Sequence, residues 1–311
     1  MCPEISIVIV NWNTRKLLKN CLQSIASVKT SRDSEIIIVD NGSNDGSSEM
    51  CRKVFPKVRL IENGSNLGFG QANNQGILSS KAELVLLLNS DTIVLPNSIE
   101  KMIEPMHKDS SIGVLGCRLI RPDGSYQPSS MNYPNLKTVI VERLLLYKLS
   151  LKLPRTPVEP PYIESQIECD WVSGACMLIR KNALETAGLF DPNIWMYGEE
   201  MELCYRIKAA GWKVAFHPDA TIIHLGGESW KEQAYSPTLL KMTGLLFFFK
   251  KHFSISTYFT VCFLTSVGAM LRLLIWPFSW LFQKNERPHI LLEMRSNLLI
   301  LVQNIRSLFM V

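Results

Sequence analysis

The stretch Leu86-Leu87-Leu88-Asn89-Ser90-Asp91, LLLNSD, decides how the chain is read. Its aliphatic run suits a strand that is covered on both faces, yet it stops abruptly at three polar residues. Asn, Ser and Asp are ordinary turn residues, so the stop alone defines only a loop. Its meaning comes from its neighbours. Four runs of this kind fill the first third of the chain: ISIVIV (5–10), EIIIVD (35–40), VRLIEN (58–63) and ELVLLL (83–88). Continuous apolar runs without alternation are expected of strands buried on both faces of a mostly parallel sheet. Helical spacing lies between them, as in Leu17, Leu18, Cys21, Leu22 and Ile25 within 15–28, with Asn13 as the capping candidate. The alternation predicts an α/β fold with right-handed crossovers.

In such a sheet ligands gather beyond the carboxyl ends of the strands. Three strands end there in polar groups: Asn11-Trp12-Asn13, Asp40-Asn41-Gly42-Ser43 and Asn89-Ser90-Asp91. Three such endings that can meet at one edge favour a site over plain turns. The segment NLGFGQANNQG (66–76) adds glycines that permit close backbone approach, ahead of a helix expected over 72–80. A dinucleotide fingerprint would have to follow the first strand directly, and VNWNTRKL (10–17) has no glycine. That counts against an NAD(P)-dependent oxidoreductase or a nucleotidyltransferase.

After Asp91 the pattern loosens. A helix is expected over 96–107 and a strand over 112–120, and 121–168 reads as irregular, with a Pro-rich linker at 154–161. A strand follows at 175–180, then a helix over 199–210 closed by Gly211, then two strands, KVAFHP (213–218) and ATIIHL (220–225). Glu199, Glu200 and Glu202 crowd the first turn of that helix. The helix dipole stabilises each acid by about 0.3–1 kcal/mol, but three so close repel one another. They follow the aromatic-rich LFDPNIWMYG (189–198), and a carboxylate beside such a cleft can act as a general base. Glu199 and Glu202 share a helix face, while Glu200 is turned about 100° from Glu199 and can face the cleft. HLGGES (224–229) puts His224 at a strand end before a glycine pair.

The 311 residues are 47% hydrophobic and 20% charged, the balance of a folded chain long enough for two compact units. Eight cysteines lie at 2, 21, 51, 117, 169, 176, 204 and 262 with no Cys-x-x-Cys pair. Neither a zinc site nor a disulfide framework is expected, and a reducing cytoplasm fits. Ile5 to Val10 is too short, and lacks the basic flank, for a secretory signal. The net charge of +5 sits wholly in 242–311, where seven basic residues face two acids. They punctuate the most apolar part of the chain, whereas a nucleic-acid binder spreads its charge over a polar face. A membrane surface is therefore the expected partner there, and nucleic acid is not. Residues 255–271 are uncharged, and ten more follow Arg272. A spanning helix needs about 20 apolar residues. Arg272 at its centre would cost roughly 2.5–3.5 kcal/mol, and Pro277 would break a straight helix. Helices in the interface are expected, with Lys250, Lys251, Lys284 and Arg287 on anionic headgroups; a single span is the alternative.

The ordered set VDNGSNDGS (39–47), NLGFGQANNQG, LLLNSD, WVSGACMLIRK (171–181), FDPNIWMYGEEMELCYRIKAAGW (190–212) and HLGGES closely resembles the family 2 glycosyltransferases of the GT-A fold. It is most similar to their rhamnosyltransferase-like bacterial branch, which builds cell-surface polysaccharides, and the likeness runs over about residues 4–230. The resemblance implies a nucleotide-sugar-binding half over 1–115, an acceptor-binding and catalytic half over 116–235, and a helical membrane-associating tail over 236–311. It implies a divalent cation, Mg²⁺ or Mn²⁺, on Asp91, with His224 approaching the metal or the diphosphate. Asn89 stands where many relatives carry the first Asp of an Asp-x-Asp motif, and would touch the ribose beside Ser90. Asp40 would accept a hydrogen bond from a pyrimidine ring NH, and Trp12 would flank the base. Asn41, Gly68, Asn73 and Asn74 would lie along the nucleotide. Glu199-Glu200 occupies the place of a Glu-Asp pair, which makes Glu200 the catalytic base and puts Glu199 beside the substrate. The implied reaction is inverting transfer, with rhamnose from dTDP-rhamnose the leading donor. The implied acceptor is a saccharide or a polyprenyl-linked saccharide, at the cytoplasmic face of the plasma membrane. The rival readings are another nucleotide-dependent enzyme, such as a nucleotidyltransferase, and a non-catalytic nucleotide-sugar-binding scaffold.

Overall fold

The computed structural model describes residues 3–28, 33–144, 165–226, 236–282 and 287–309. The Pro-rich stretch 154–161 and the Gly227-Glu228-Ser229 end of HLGGES lie outside the described residues. In chain order the elements are β1 (Ile5–Asn11), α1 (Arg15–Ser27), β2 (Ser34–Asp40), α2 (Ser47–Val54), β3 (Arg59–Glu62), α3 (Phe69–Ser79), β4 (Leu84–Asn89) and β5 (Thr92–Val94). Next come α4 (Ser98–Lys108), β6 (Ile112–Ile120), β7 (Tyr126–Gln127), β8 (Ser130–Met131), α5 (Leu136–Arg143), β9 (Ile167–Glu168), β10 (Trp171–Val172) and β11 (Cys176–Arg180). The chain continues with α6 (Lys181–Ala187), α7 (Glu199–Ala209), β12 (Lys213–His224), α8 (Pro237–His252), α9 (Ile255–Phe282) and α10 (Arg287–Phe309). They form two compact units. The first holds every strand with α1–α4, α6 and α7. The second holds α5, residues 196–198 and α8–α10.

In the first unit the main sheet runs β3-β2-β1-β4-β11-β6-β12-β5. β1, β2, β3 and β4 are parallel, as the unbroken apolar runs require, and β11 enters antiparallel between β4 and β6. The runs are continuous because alternate residues feed two different cores. Leu84, Leu86 and Leu88 of β4 join Ile5, Ile7 and Ile9 of β1 against α1 and α4. Val85 and Leu87 join Val8 against α3, α6 and α7. Each such side chain contributes about 1.5–3 kcal/mol on full burial. Helix α3 lies so close to the sheet that a Cβ on Gly76 would meet Val8 Cγ1 at 2.2 Å.

Several sequence expectations are corrected. Asn13 does not cap α1: Thr14 holds the N-cap position, and Asn13 takes a left-handed backbone with φ 52°. Its Oδ1 instead accepts from Asn44 N at 2.9 Å, tying the first two strand-end loops together. Helix α3 begins at Phe69, three residues before the expected start, and holds both Asn73 and Asn74. KVAFHP and ATIIHL form one strand, β12, with a register shift between His217 and Thr221. A bulge is where a strand tolerates proline, which accounts for Pro218 within it. The segment read as irregular holds β7–β9 and α5, whose Asn135 and Thr138 make a reciprocal capping box.

In the second unit α9 is one helix of 28 residues that continues through Pro277. Ile255–Pro277 is long and apolar enough to cross a membrane, by length and composition. Arg272 spends its charge on backbone carbonyls: Arg143 O at 2.9 Å and Glu142 O at 3.0 Å at the end of α5, and Gly268 O at 2.8 Å. It thus caps orphan carbonyls at a helix C-terminus, where a cation is favoured. Gly244 of α8 is required because a Cβ there would stand 2.0 Å from the Tyr197 carbonyl oxygen. Tyr197 and Gly198, both at positive φ, lead directly into α7.

Candidate active site

The strand register brings the three polar endings together. Asn11 pairs with Asp40 across β1 and β2, and Val10 pairs with Asn89 across β1 and β4. Asp40 is 2% exposed and already ordered. Its Oδ2 accepts from Asn11 Nδ2 at 2.8 Å and its Oδ1 from Ser43 N at 2.8 Å. A carboxylate has about four acceptor sites, so capacity for a further donor remains. Thr14 Oγ1 donates to Asn11 Oδ1 at 2.6 Å and lies 2.8 Å from Ser90 Oγ, which locks Ser90 to the loop after β1. Trp12 stands half-buried in that same loop.

Asn41 spends its side chain on the neighbouring loop. It donates to Asn66 Oδ1 at 2.8 Å and Gly68 O at 3.2 Å, and accepts from Leu67 N at 3.0 Å and Asn63 Nδ2 at 3.1 Å. Gly68 has φ 88°, and a Cβ there would lie 2.4 Å from Trp195 O, so glycine is required. Asn73 donates to Phe69 O at 3.0 Å within its own helix. Asn74 exchanges two bonds with the Phe190 backbone at 2.9 and 3.0 Å. The Asn74 amide ties α3 to Phe190, while the Asn73 bond stays within α3.

Asp91 ends the turn after β4. β5 then pairs antiparallel with the end of β12, matching His224 with Thr92. This brings His224, distant in sequence, beside Asp91, with Nε2 3.2 Å from Asp91 Oδ1. Asn89 Nδ2 lies 3.4 Å from the same nitrogen. Asp91 and His224 are 6% and 8% exposed. Among the described residues no three His, Cys, Asp or Glu side chains gather as a metal cage. One carboxylate and one imidazole side by side nonetheless fit a catalytic Mg²⁺ or Mn²⁺. Such ions take one or two protein ligands and complete their shell with phosphate oxygens and water.

The three acids of α7 have different fates. Glu202 is fully buried, and Arg206 grips both of its oxygens at 2.8–3.0 Å. Arg206 also donates to Ala187 O and, at 2.7 Å, to Leu189 O. The pair thereby anchors the segment leading to Phe190, a role the sequence signalled only through the i, i+4 spacing. Glu199 is 3% exposed and its Oε2 has no hydrogen-bond partner. Burial, and then the neighbouring Glu200 charge, hold its carboxyl well above the usual range. Glu200 is the partly exposed member. An added Cβ on Gly174 would lie 3.1 Å from the Phe69 ring and 3.9 Å from Glu200 Cβ, so this glycine packs close to both. The next residue, Ala175, accepts from Asn89 N at 3.0 Å, which links Glu200's surroundings to the tip of β4.

Glu199 also gives a pH signature. A carboxyl raised in the fold leaves stability complete below its ordinary value of 4.5 and erodes it as pH climbs through the folded value. Glu199→Gln removes that titration. Its melting temperature is expected to gain on the wild type steadily as pH rises above that ordinary value. Thermal melts at rising pH check this, and an offset independent of pH contradicts it.

With this geometry in place, the comparisons identify the class. Residues 6–187 match the sequence model of Glycosyl transferase family 2. The chain belongs to that family and is a glycosyltransferase. It is 30% identical over 240 residues to the N-acetylglucosaminyl-diphospho-decaprenol L-rhamnosyltransferase of Mycobacterium tuberculosis, covering 72% of this chain and 76% of that one. It is 27% identical over 212 residues to the low-salt glycan biosynthesis hexosyltransferase Agl10 of Haloferax volcanii, covering 67% of this chain and 62% of that one. Among solved structures it superposes on the mannosyltransferase PcManGT of Pyrobaculum calidifontis in complex with GDP-Man and Mn²⁺. The TM-score is 0.59 at 15% identity, over 98% of this chain and 88% of that one. GalNAc-T7 with UDP, GalNAc and Mn²⁺ gives 0.58 at 19% identity, over 80% and 48%. The fold is GT-A.

Proposed function

We propose that the chain transfers a sugar, with rhamnose from dTDP-rhamnose the leading donor, to a polyprenyl-diphosphate-linked saccharide in cell-surface polysaccharide synthesis. The observation that carries the reading is the meeting of Asp91 and His224, 3.2 Å apart, beyond the carboxyl edge of the parallel strands. The likeness to the mycobacterial enzyme supports the choice of donor and acceptor class. The donor half is assigned to 1–115, the acceptor half to 116–235 and the membrane-associating tail to 236–311.

Asp40 and Trp12 receive the base, and the 66–68 loop, held by Asn41, runs along the nucleotide. Asn89 and Ser90 lie at the ribose. Asp91 and His224 would hold a divalent cation, which neutralises charge on a diphosphate leaving group when bound. Glu200 takes the proton of the acceptor hydroxyl as that oxygen attacks the anomeric carbon from the face opposite the diphosphate. One displacement with one base inverts the configuration and needs no covalent intermediate.

The second unit serves the lipid-linked acceptor at the cytoplasmic face of the membrane. Its α9 exposes Phe263, Met270 and Leu274, and α10 exposes Leu291, Leu298, Val302 and Ile305, each set at helical spacing on one face. Lys250, Lys251, Arg287, Arg295 and Arg306 accompany these rows. The Arg272 bonds to α5 favour a surface position, because a spanning α9 would draw the charged α5 into the bilayer. One assay tests the whole reading. Anionic vesicles carrying polyprenyl diphosphate N-acetylglucosamine are incubated with the chain and labelled dTDP-rhamnose. The chain is expected to sediment with the vesicles at low salt, to be released at high salt, and to label the lipid. Absence of vesicle binding at low salt removes the membrane role. Labelling from a different nucleotide-sugar reassigns the donor.

A further inference from the structure

One polar side chain in contact with the Asp91–His224 pair has no part in the account so far. Gln127 belongs to β7, the return strand of a short hairpin whose turn is Arg121-Pro122-Asp123-Gly124-Ser125. Arg121 and Ser125 close the turn through a 2.8 Å backbone bond, Gly124 supplies a φ of 81°, and Asp123 Oδ1 accepts from Ser125 N at 2.9 Å. The hairpin sets Gln127 opposite Leu119, and its amide reaches Nδ1 of His224. Both amide heteroatoms stand within bonding distance, Nε2 at 3.0 Å and Oε1 at 3.2 Å. Asp91 and Asn89 approach the other ring nitrogen.

The two nitrogens of an imidazole are linked, since the bond made by one decides what the other can do. If the amide NH₂ donates to Nδ1, the ring proton sits on Nε2 and points at Asp91. If the amide oxygen accepts from Nδ1–H, Nε2 presents a lone pair to the same point. Only the second arrangement makes His224 a ligand. Outer partners of this kind fix the ring of a ligating histidine, and their loss typically costs about 10- to 100-fold in metal affinity.

We propose that Gln127 is a positioning residue that accepts from His224 Nδ1–H, and so holds the Nε2 lone pair toward a divalent cation on Asp91. This rests on the metal reading above. It adds a determinant from a hairpin outside the motifs that define the family resemblance. A carboxylate is acceptor-only, so Gln127→Glu retains this arrangement, whereas Gln127→Leu fills the same space without an acceptor.

The test uses the full chain and both variants, with melting temperatures as a folding control. Mn²⁺ is titrated calorimetrically with and without UDP, and ring ¹⁵N shifts of His224 are recorded in the presence of Mg²⁺ and UDP. Gln127→Leu is expected to weaken Mn²⁺ binding about 10- to 100-fold. Gln127→Glu should bind as tightly as the wild type or more tightly, with the ring proton on Nδ1 in both. Unchanged Mn²⁺ affinity in Gln127→Leu overturns the proposal. So does a loss in Gln127→Glu equal to that in Gln127→Leu, or a ring proton found on Nε2 in the loaded wild type. If the wild type itself takes up no Mn²⁺ with or without UDP, the metal reading falls and takes the proposal with it. If the wild type binds Mn²⁺ and the Gln127 variants alone miss their expected results, the metal reading stands and only the proposal falls.

Discussion

Glu200→Gln is expected to bind the donor normally and to lose about 10²–10⁴ in kcat, the usual contribution of a general base. Three glutamates stand in the first turn of α7, and the structure separates them by what each already does. Glu202 is sealed from solvent, with both oxygens on Arg206. Glu199 is buried beside Glu200, and its carboxyl is held well above the usual range. A sealed ion pair cannot meet an acceptor hydroxyl, and a carboxyl buried away from solvent is poorly placed to reach one. Glu200 is the partly exposed acid, and its Cβ lies beside Gly174. Glu202→Gln should behave differently. Breaking a buried pair by removing one partner typically costs about 3–5 kcal/mol in stability, and the folded fraction should keep its kcat. Measuring kcat, donor affinity and melting temperature for each single variant separates the roles. Near-normal kcat in Glu200→Gln together with a dead Glu199→Gln would show that the base is the other acid.

How far the site was legible in the sequence depends on which force placed each residue. The parallel strands were readable because burial on both faces leaves a continuous apolar run, as in Leu84 to Leu88. Their polar ends were readable because adjacent parallel strands finish at one edge, as Asn11 and Asp40 do. That Glu200 differs in exposure from the buried Glu199 and Glu202 was readable from helical geometry. Residues placed by long-range pairing were not. Nothing local sets His224 beside Asp91. That follows from β5 leaving β4 to pair with β12. Gln127 was missed because 121–168 reads as irregular, although Pro122-Asp123-Gly124 directly after the apolar run 112–120 is a turn signal. A sequence cannot show that the amides of Asn41 and Asn74 bond neighbouring backbone. Arg272 looked like a cost to α9 because the α5 carbonyls that receive it lie far away in sequence.

The second large effect is expected at the strand end where the reading began. Asp91→Ala should abolish the Mn²⁺-dependent part of nucleoside diphosphate binding while leaving the fold intact. Asp91 makes its side-chain contact with His224 at the rim of the sheet and contributes to neither apolar core. Removing it takes away the carboxylate that, among the described residues, a cation would share with His224. One or two carboxylates and the phosphates are all that a Mg²⁺-type site usually has. Binding should therefore fall to the level seen without metal, and the melting temperature of the unliganded protein should change little. The backbone bond from Leu225 N to Asp91 O, 3.0 Å, survives the substitution and keeps the turn in place.

The most direct test of the central claim is a calorimetric titration of dTDP and UDP into the wild type and Asp91→Ala, each with and without Mn²⁺. A metal-dependent nucleotide-sugar site predicts tight binding of at least one of the two only in the wild type with Mn²⁺. Equal binding in all four conditions, or none in any, contradicts it.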